Sequence, residues 1–255
     1  MSADRSSPNG RYTGKSVVIT GGSSGIGLET AKLFADGGAR VLITGRTRAT
    51  LDSAREQLGG NAVAVLGDAA SLADTEALAG RVKAEFGTFD ALFVNAGITG
   101  FVPFESMTED RYDELLAVNA KGPYFAVQKL APLLNAGSGV VLTTSIVNVK
   151  GIPMVSAYAA SKAALRSMTR SLARELLPRQ LRVNALSPGP IDTGILARSM
   201  PAEGVQPMEA QMKEANPMLR FGDPAEVARA VAFLAFEATY TTGAELPVDG
   251  GASQL

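Results

Sequence analysis

From Lys15 almost to the C-terminus, short apolar runs alternate with longer stretches in which apolar residues recur every three or four positions. Runs of β-branched and aliphatic residues bounded by glycine read as buried strands, and the periodic stretches read as helices that pack on them. Strands are expected over Lys15–Thr20, Arg40–Thr44, Ala62–Leu66, Ala91–Val94, Val140–Thr144, Leu181–Leu186 and Glu245–Val248. Helices are expected from Leu28 to about Asp36, after Thr47 to about Leu58, over Ser71–Phe86, Thr108–Asn135 and Ser156–Leu177, and to about Ala235 behind the start signal Asp223-Pro224. Gly122-Pro123 falls inside the long fourth helix and is expected to kink it. At 255 residues without a Pro/Gly/Ser-rich linker, the pattern fits one large α/β domain.

Two segments depart from the alternation. Residues 1–13 are polar and are expected to be a flexible tail ahead of a catalytic domain over 14–255. The stretch from Ile191 to Arg220 carries Met200, Met208, Met212 and Met218, several prolines and no strand pattern. It reads as a substrate lid at about 190–220, in which Ile195, Leu196, Met200, Met208 and Met212 could close on a bulky apolar substrate.

Composition removes whole classes of chemistry. With no cysteine and no histidine, the chain has no disulfides, no thiolate nucleophile, no usual zinc site and no histidine-based acid/base scheme. Its 24 basic and 25 acidic residues leave a net charge of -1, so no nucleic-acid or membrane partner is expected, and no metal. The N-terminus lacks the apolar core of a secretory signal, and no run is long enough to span a bilayer; a soluble, cytoplasmic protein is expected.

Proton chemistry is left to Tyr, Lys, Asp and Glu, and one cluster suits it. Tyr158 and Lys162 stand four apart in an Ala-rich helical stretch, so a phenol and an ammonium share one face. A fixed cation nearby favours phenolate and lowers the tyrosine pKa from about 10, which makes Tyr158 a candidate acid/base. Ser145 follows the strand run Val140-Val141-Leu142 and should emerge at the carboxyl edge of the sheet, where open α/β sheets bind ligands. Near the N-terminus the first strand runs into Gly21-Gly22-Ser23-Ser24-Gly25-Ile26-Gly27 and then a helix. Glycines there permit a tight turn and close approach of a pyrophosphate, and the helix N-terminus offers it unpaired N–H groups.

Taken together, these residues resemble the short-chain dehydrogenase/reductase family over nearly the whole chain, from about Lys15 to Gly251. The matching motifs are Thr20 to Gly27, Asn95-Ala96-Gly97, the set Asn119, Ser145, Tyr158 and Lys162, and Pro188-Gly189 followed by Ile191 and Thr193. The resemblance implies a single-domain Rossmann fold, a doubly wound parallel seven-stranded sheet with helices on both faces, and a homotetramer. It implies that Tyr158 exchanges a proton with the substrate oxygen, that Ser145 holds that oxygen, and that Lys162 binds the nicotinamide ribose and lowers the Tyr158 pKa. Asn119 would hold a water in a proton path. Cofactor contacts are implied for Gly21, Ser23, Ser24, Gly25, Ile26, Gly27, Arg46, Thr47, Asp68, Ala69, Asn95, Ala96, Gly97, Tyr158, Lys162, Pro188, Gly189, Ile191 and Thr193, with Asp68 at the adenine.

Users of NAD in this family carry an acid at the end of the second strand, where this chain has Gly45 followed by Arg46. That favours NADP(H), with NAD(H) possible, although Ser24 stands where many NADP users carry a basic residue. The leading expectation is a ketone reductase or alcohol dehydrogenase acting on apolar or aryl carbonyl compounds. A 3-oxoacyl-[acyl-carrier-protein] reductase and a non-catalytic dinucleotide sensor are the alternatives.

Overall fold

A computed structural model describes residues 10–60, 62–199 and 202–255. Strands β1 (Ser16–Thr20), β2 (Arg40–Gly45), β3 (Ala62–Leu66), β4 (Phe89–Val94), β5 (Leu134–Thr143), β6 (Arg182–Pro188) and β7 (Glu245–Val248) form one parallel sheet in the order β3-β2-β1-β4-β5-β6-β7. Because side chains alternate across a strand, each strand feeds two cores. Val17, Ile19, Val41, Ile43 and Phe93 face one side, packed under helices α1 (Gly25–Asp36), α2 (Arg48–Leu58) and α9 (Pro224–Ala232). Val18, Leu42, Leu92, Val140 and Leu142 face the other, under α3 (Leu72–Phe86), α5 (Gly122–Leu130) and α6 (Ser156–Leu176). The strand order reverses between β1 and β4, and the crevice at such a switch point is where ligands bind.

Several expectations change in detail. The stretch 108–135 is not one kinked helix: α4 (Glu109–Leu116) passes through a single π turn at Ala117–Lys121 into α5, which ends at Leu130. Gly122 is required there by contact, since a Cβ at that position would lie 2.2 Å from the Ala69 carbonyl oxygen. β5 starts at Leu134, six residues before Val140, and its register against β4 shifts between Phe89 and Ala91. Gly137, at φ 86°, and Gly139, pressed against the Ala235 backbone, let the strand pass an irregularity that reads as a turn in sequence. The expected flexible tail is also corrected. Tyr12 is buried and stacks edge-on against Phe34 at 4.9 Å, so the packed domain begins ahead of residue 14; residues 1–9 lie outside the described residues.

The expected lid is helical. It comprises α7 (Ile195–Ser199) and α8 (Ala202–Glu214), the latter with Pro207 inside it, and Met200 lies outside the described residues. Both ends of this segment are pinned to each other. Gly222 N–H donates to Pro190 O, Asp192 N–H donates to Gly222 O, both at 2.9 Å, and Ile191 bridges Gly222. No helix among the described residues is long and apolar enough to cross a membrane.

Candidate active site

At the carboxyl edge of the sheet a continuous cleft of about 880 Å³ runs from the β2 end to the α8 helix. Its first half is built by backbone economy. Gly21 (φ 68°) leaves β1 in the left-handed region, and a Cβ there would lie 2.8 Å from the Ala96 Cα. Ser24, the residue preceding α1, makes no side-chain capping bond, unlike Ser71, Thr108 and Asp223 at the starts of α3, α4 and α9. The first-turn amides of α1 therefore face the cleft without a side-chain acceptor, a site suited to a phosphate. Thr193, from the far wall, approaches Gly25 so closely that a Cβ on Gly25 would be 3.2 Å from it.

Most of the residues expected to hold a cofactor line this cleft: Gly21, Ser23, Ser24, Gly25, Ile26, Arg46, Thr47, Asp68, Ala69, Asn95, Ala96, Gly97, Pro188, Gly189, Ile191 and Thr193, together with Tyr158 and Lys162. Gly27 does not. A Cβ on it would collide with the Gly21 carbonyl oxygen at 2.1 Å, so its role is to let α1 approach β1. Asn95 lines the cleft but also ties three elements together, its Nδ2 donating to Gly21 O at 3.1 Å and its Oδ1 accepting from Thr143 Oγ at 3.4 Å. Asp68 accepts from its own Ala70 N–H at 2.9 Å. Arg46 is exposed and makes no hydrogen bond or ion pair among the described residues.

At the centre, Ser145 leaves β5 with extended backbone and opens a short 3₁₀ turn, Ile146–Asn148. Its hydroxyl faces the Tyr158 phenol, from the first turns of α6, closely enough to act on the phenol's pKa. Lys162, one turn further on, is buried; its Nζ donates to Thr143 O at 2.8 Å and lies 5.9 Å from the Tyr158 ring centre. Gly97 leaves room for it, since a Cβ there would be 3.4 Å from Nζ.

The electrostatics differ from the expected depression of Tyr158 by Lys162. Burial pushes the phenol above its ordinary value, and the Ser145 hydroxyl offsets this only in part. Burial also lowers the Lys162 ammonium to about 8. An ammonium that is itself held back by desolvation, and is bonded to a backbone carbonyl, gives the phenol little help. Tyr158 is therefore a neutral proton donor around pH 7, not a phenolate.

Lys162 yields a stability prediction with a definite sign. Its pKa is 10.5 when exposed and about 8 here, so between those values the unfolded chain holds a proton that the folded chain has lost, and stability rises with pH across that window. Below pH 8 the cost is fully present, at most about 3 kcal/mol. Lys162→Met removes it and also removes the bond to Thr143, worth about 1 kcal/mol. The variant should melt higher than wild type at pH 7, with the gain fading as pH approaches 10.5. Thermal denaturation at pH 6, 7, 9 and 10 reads this, and a lower melting point at pH 7 contradicts it.

Asn119 is corrected as well. It is fully buried and does not line the cleft. Its Oδ1 accepts from Ile98 N–H and its Nδ2 donates to Ile98 O, both at 2.9 Å, and Nδ2 also reaches Ser161 Oγ at 3.2 Å. The side chain is thus spent on clamping the β4 loop to α6 and is not free to hold a water. What remains is its carbonyl, which Pro123, lacking an N–H, deprives of the usual donor four residues on.

The far half of the cleft has apolar walls from Phe101, Ile152, Met154, Ile195, Leu196, Met208 and Met212. Phe101, Ile152 and Met154 escape sequence reading because they sit on loops with no periodic pattern. Met154 has φ 68°, which a bulky side chain rarely adopts, and its carbonyl accepts from Val102 N–H at 2.8 Å, joining the two wall loops.

Residues 21–253 match the family model described as enoyl-(acyl carrier protein) reductase. An oxidoreductase of Sarocladium schorii is 42% identical over 248 residues, which cover 96% of this chain and 98% of that protein. A 3α-hydroxysteroid dehydrogenase of Mediterraneibacter gnavus is 37% identical, with 93% of this chain and 96% of the relative covered. The crystal structure of a short-chain dehydrogenase/reductase from Brucella melitensis superposes with a TM-score of 0.90 at 31% identity, covering 97% of this chain and 100% of that one. With a parallel seven-stranded Rossmann sheet, an uncapped helix start beside a glycine turn, and Ser145, Tyr158 and Lys162 in contact at one cleft, the chain belongs to the short-chain dehydrogenase/reductase family of nicotinamide-dependent oxidoreductases.

Proposed function

We propose that the protein is an NADP(H)-dependent reductase of apolar or aryl ketones, interconverting them with secondary alcohols. The observation that carries this reading is the convergence of Ser145, a protonated Tyr158 and Lys162 on one cleft, where its cofactor half meets its apolar half. When bound, the nicotinamide supplies the hydride. The amides at the start of α1 and the turn Gly21–Ile26 would hold its phosphates, and Pro188 to Thr193 would line the side of the cleft where its ring is expected. Ser145 donates to the substrate carbonyl oxygen and orients it. Tyr158 gives that oxygen its proton as negative charge develops, and takes it back in the alcohol direction. Lys162 would hold the ribose. The Asn119 carbonyl, to which Pro123 has no N–H to offer, accepts from a water that returns the proton.

Apolar walls and the resemblance to a hydroxysteroid dehydrogenase support a bulky apolar substrate. A second reading, reduction of 3-oxoacyl groups on an acidic carrier protein, is favoured by Lys150, an exposed cation lining the substrate half of the cleft. Rates on acyl carriers far above those on aryl ketones would support it. A panel of ketones followed by NADPH absorbance tests the class, and absence of turnover on every carbonyl would favour a cofactor sensor. Exposed Tyr112 and Tyr124 on α4 and α5 are consistent with burial between subunits of a cytoplasmic homotetramer, which light scattering reads.

The preference for NADP rests on Gly45 and Arg46. With no carboxylate at 45 there is nothing to repel a 2′-phosphate, and the unpaired Arg46 guanidinium can bind it with a charge-assisted contact of about 1.5–3 kcal/mol. That corresponds to a preference of roughly 10- to 150-fold. Arg46→Ala should weaken NADP binding by that factor with little effect on NAD, as measured by fluorescence titration. Equal loss for both cofactors would make Arg46 an ordinary loop residue. The reverse change is constrained: a Cβ at 45 would lie 2.7 Å from Ser23 Oγ, 3.1 Å from Ser23 Cβ and 3.2 Å from Leu51 Cγ, so Gly45→Asp is best made together with Ser23→Gly.

A further inference from the structure

Glu245 opens β7, far in sequence from the active site, yet its carboxylate meets both flanks of Ser145. Its Oε1 accepts from Thr144 Oγ at 2.5 Å and from Asn148 Nδ2 at 2.7 Å, and Thr144 and Asn148 bracket the serine in sequence. Its other oxygen, Oε2, is 3.1 Å from Arg166 Nε. Arg166 lies on α6 one turn beyond Lys162 and two beyond Tyr158, and it also donates to Gly243 O at 3.1 Å. Both charged side chains are largely shielded, with 13% and 19% of their surface exposed, so the contact is not a solvated surface pair.

We propose that Glu245 is a positioning residue that fixes the Ser145 turn against the helix carrying Tyr158 and Lys162. Every group facing the carboxylate is a donor: a hydroxyl, an amide NH₂ and a guanidinium. An ionised carboxylate is the side chain that only accepts, and it can serve all three at once. The neutral isostere cannot. In Glu245→Gln, the amide NH₂ must face either the Arg166 guanidinium or the Asn148 NH₂, and donor then opposes donor. Thr144 is itself held to β6 by its N–H, which donates to Leu186 O at 2.8 Å. The movable part is therefore the 3₁₀ turn, and with it the direction of the Ser145 hydroxyl.

This proposal rests on the reductase reading for its catalytic consequence but not for its structural one, and two readouts separate them. In the cofactor-bound protein, Glu245→Gln should speed amide hydrogen exchange at Asn148, Val149 and Lys150, whose N–H groups bond back to Ser145 and Ile146. In steady-state kinetics it should lower kcat about 10- to 100-fold, the cost of a displacement of about 1 Å at a reacting group, while NADPH affinity stays unchanged. Thr144→Val added to Glu245→Gln should cost little more, because the two act through one contact. Unchanged exchange at 148–150 overturns the proposal, and so does faster exchange with wild-type kcat. If wild type reduces no carbonyl at all, the reductase reading fails, and the exchange experiment still decides whether Glu245 holds the turn.

Discussion

Replacing Tyr158 by phenylalanine is expected to lower turnover in ketone reduction by about 10²–10⁴-fold, or more, and to leave NADPH affinity nearly unchanged. The phenyl ring keeps the volume and packing of the native side chain, so α6 and the cofactor half of the cleft have no reason to move. Only the hydroxyl that faces Ser145 disappears. With no histidine or cysteine in the chain, and with Lys162 bonded to the Thr143 carbonyl, no other side chain in contact with Ser145 can deliver the proton. Steady-state kinetics and fluorescence titration read the two halves separately. Turnover close to wild type would remove Tyr158 from the mechanism.

The second large effect concerns stability and lies on the opposite side of the sheet from substrate. Arg182 begins β6 as a buried cation without a carboxylate partner among the described residues. Its guanidinium donates to three backbone carbonyls, Leu234 and Ala238 through one nitrogen at 2.7 and 2.9 Å, and Ala235 through the other at 2.6 Å. These are the last carbonyls after α9, where the chain leaves through a π turn at Phe233–Glu237 with no glycine to close it. Burial lowers the Arg182 pKa, yet guanidinium is basic enough to remain charged. Arg182→Met keeps the length and takes the donor from the Leu234 and Ala235 carbonyls, while the Ala238 carbonyl keeps the Thr241 N–H at 3.1 Å. The cost should be about 3–5 kcal/mol, since each unsatisfied carbonyl costs about 1–3 kcal/mol and solvent entry recovers part. In a chain of this size that lowers the melting temperature by roughly 6–20 °C. Arg182→Lys should recover part of the loss. A melting temperature in Arg182→Met equal to wild type would mean that water replaces the guanidinium at no cost.

Arg182 and Glu245 also mark the boundary of what the sequence discloses. Strand and helix positions, the glycine turn, and the Ser145, Tyr158 and Lys162 set were legible because each rests on local spacing: an apolar run, a turn signal, or two residues one helical turn apart. Neither Arg182, working across more than 50 residues, nor Glu245, working across about 100, has a local signature that sets it apart from a surface charge. The contacts of the Asn119 side chain were not legible for a related reason. Its place in a helix was evident, but its two bonds to Ile98 depend on the β4 loop folding back over α4 and the π turn. The Tyr158 pKa was misjudged because spacing reports proximity to a cation and says nothing of desolvation, which dominates both groups once α6 is packed. The 195–214 helices were missed because Pro207 and scattered methionines blur the period.

The close approach of position 45 to Ser23 imposes an order on any evolutionary change of cofactor. A carboxylate gained at 45 in the present background meets the Ser23 hydroxyl before it can serve a ribose, so that step alone damages binding of the old cofactor without creating a site for the new one. Loss of the whole side chain at 23 removes both close contacts, Oγ at 2.7 Å and Cβ at 3.1 Å, and opens the space. On the NADP reading proposed above, lineages that reach NAD from a sequence like this one should therefore record a glycine at 23 before an acid at 45, and reconstructed intermediates with the acid first should bind neither dinucleotide well.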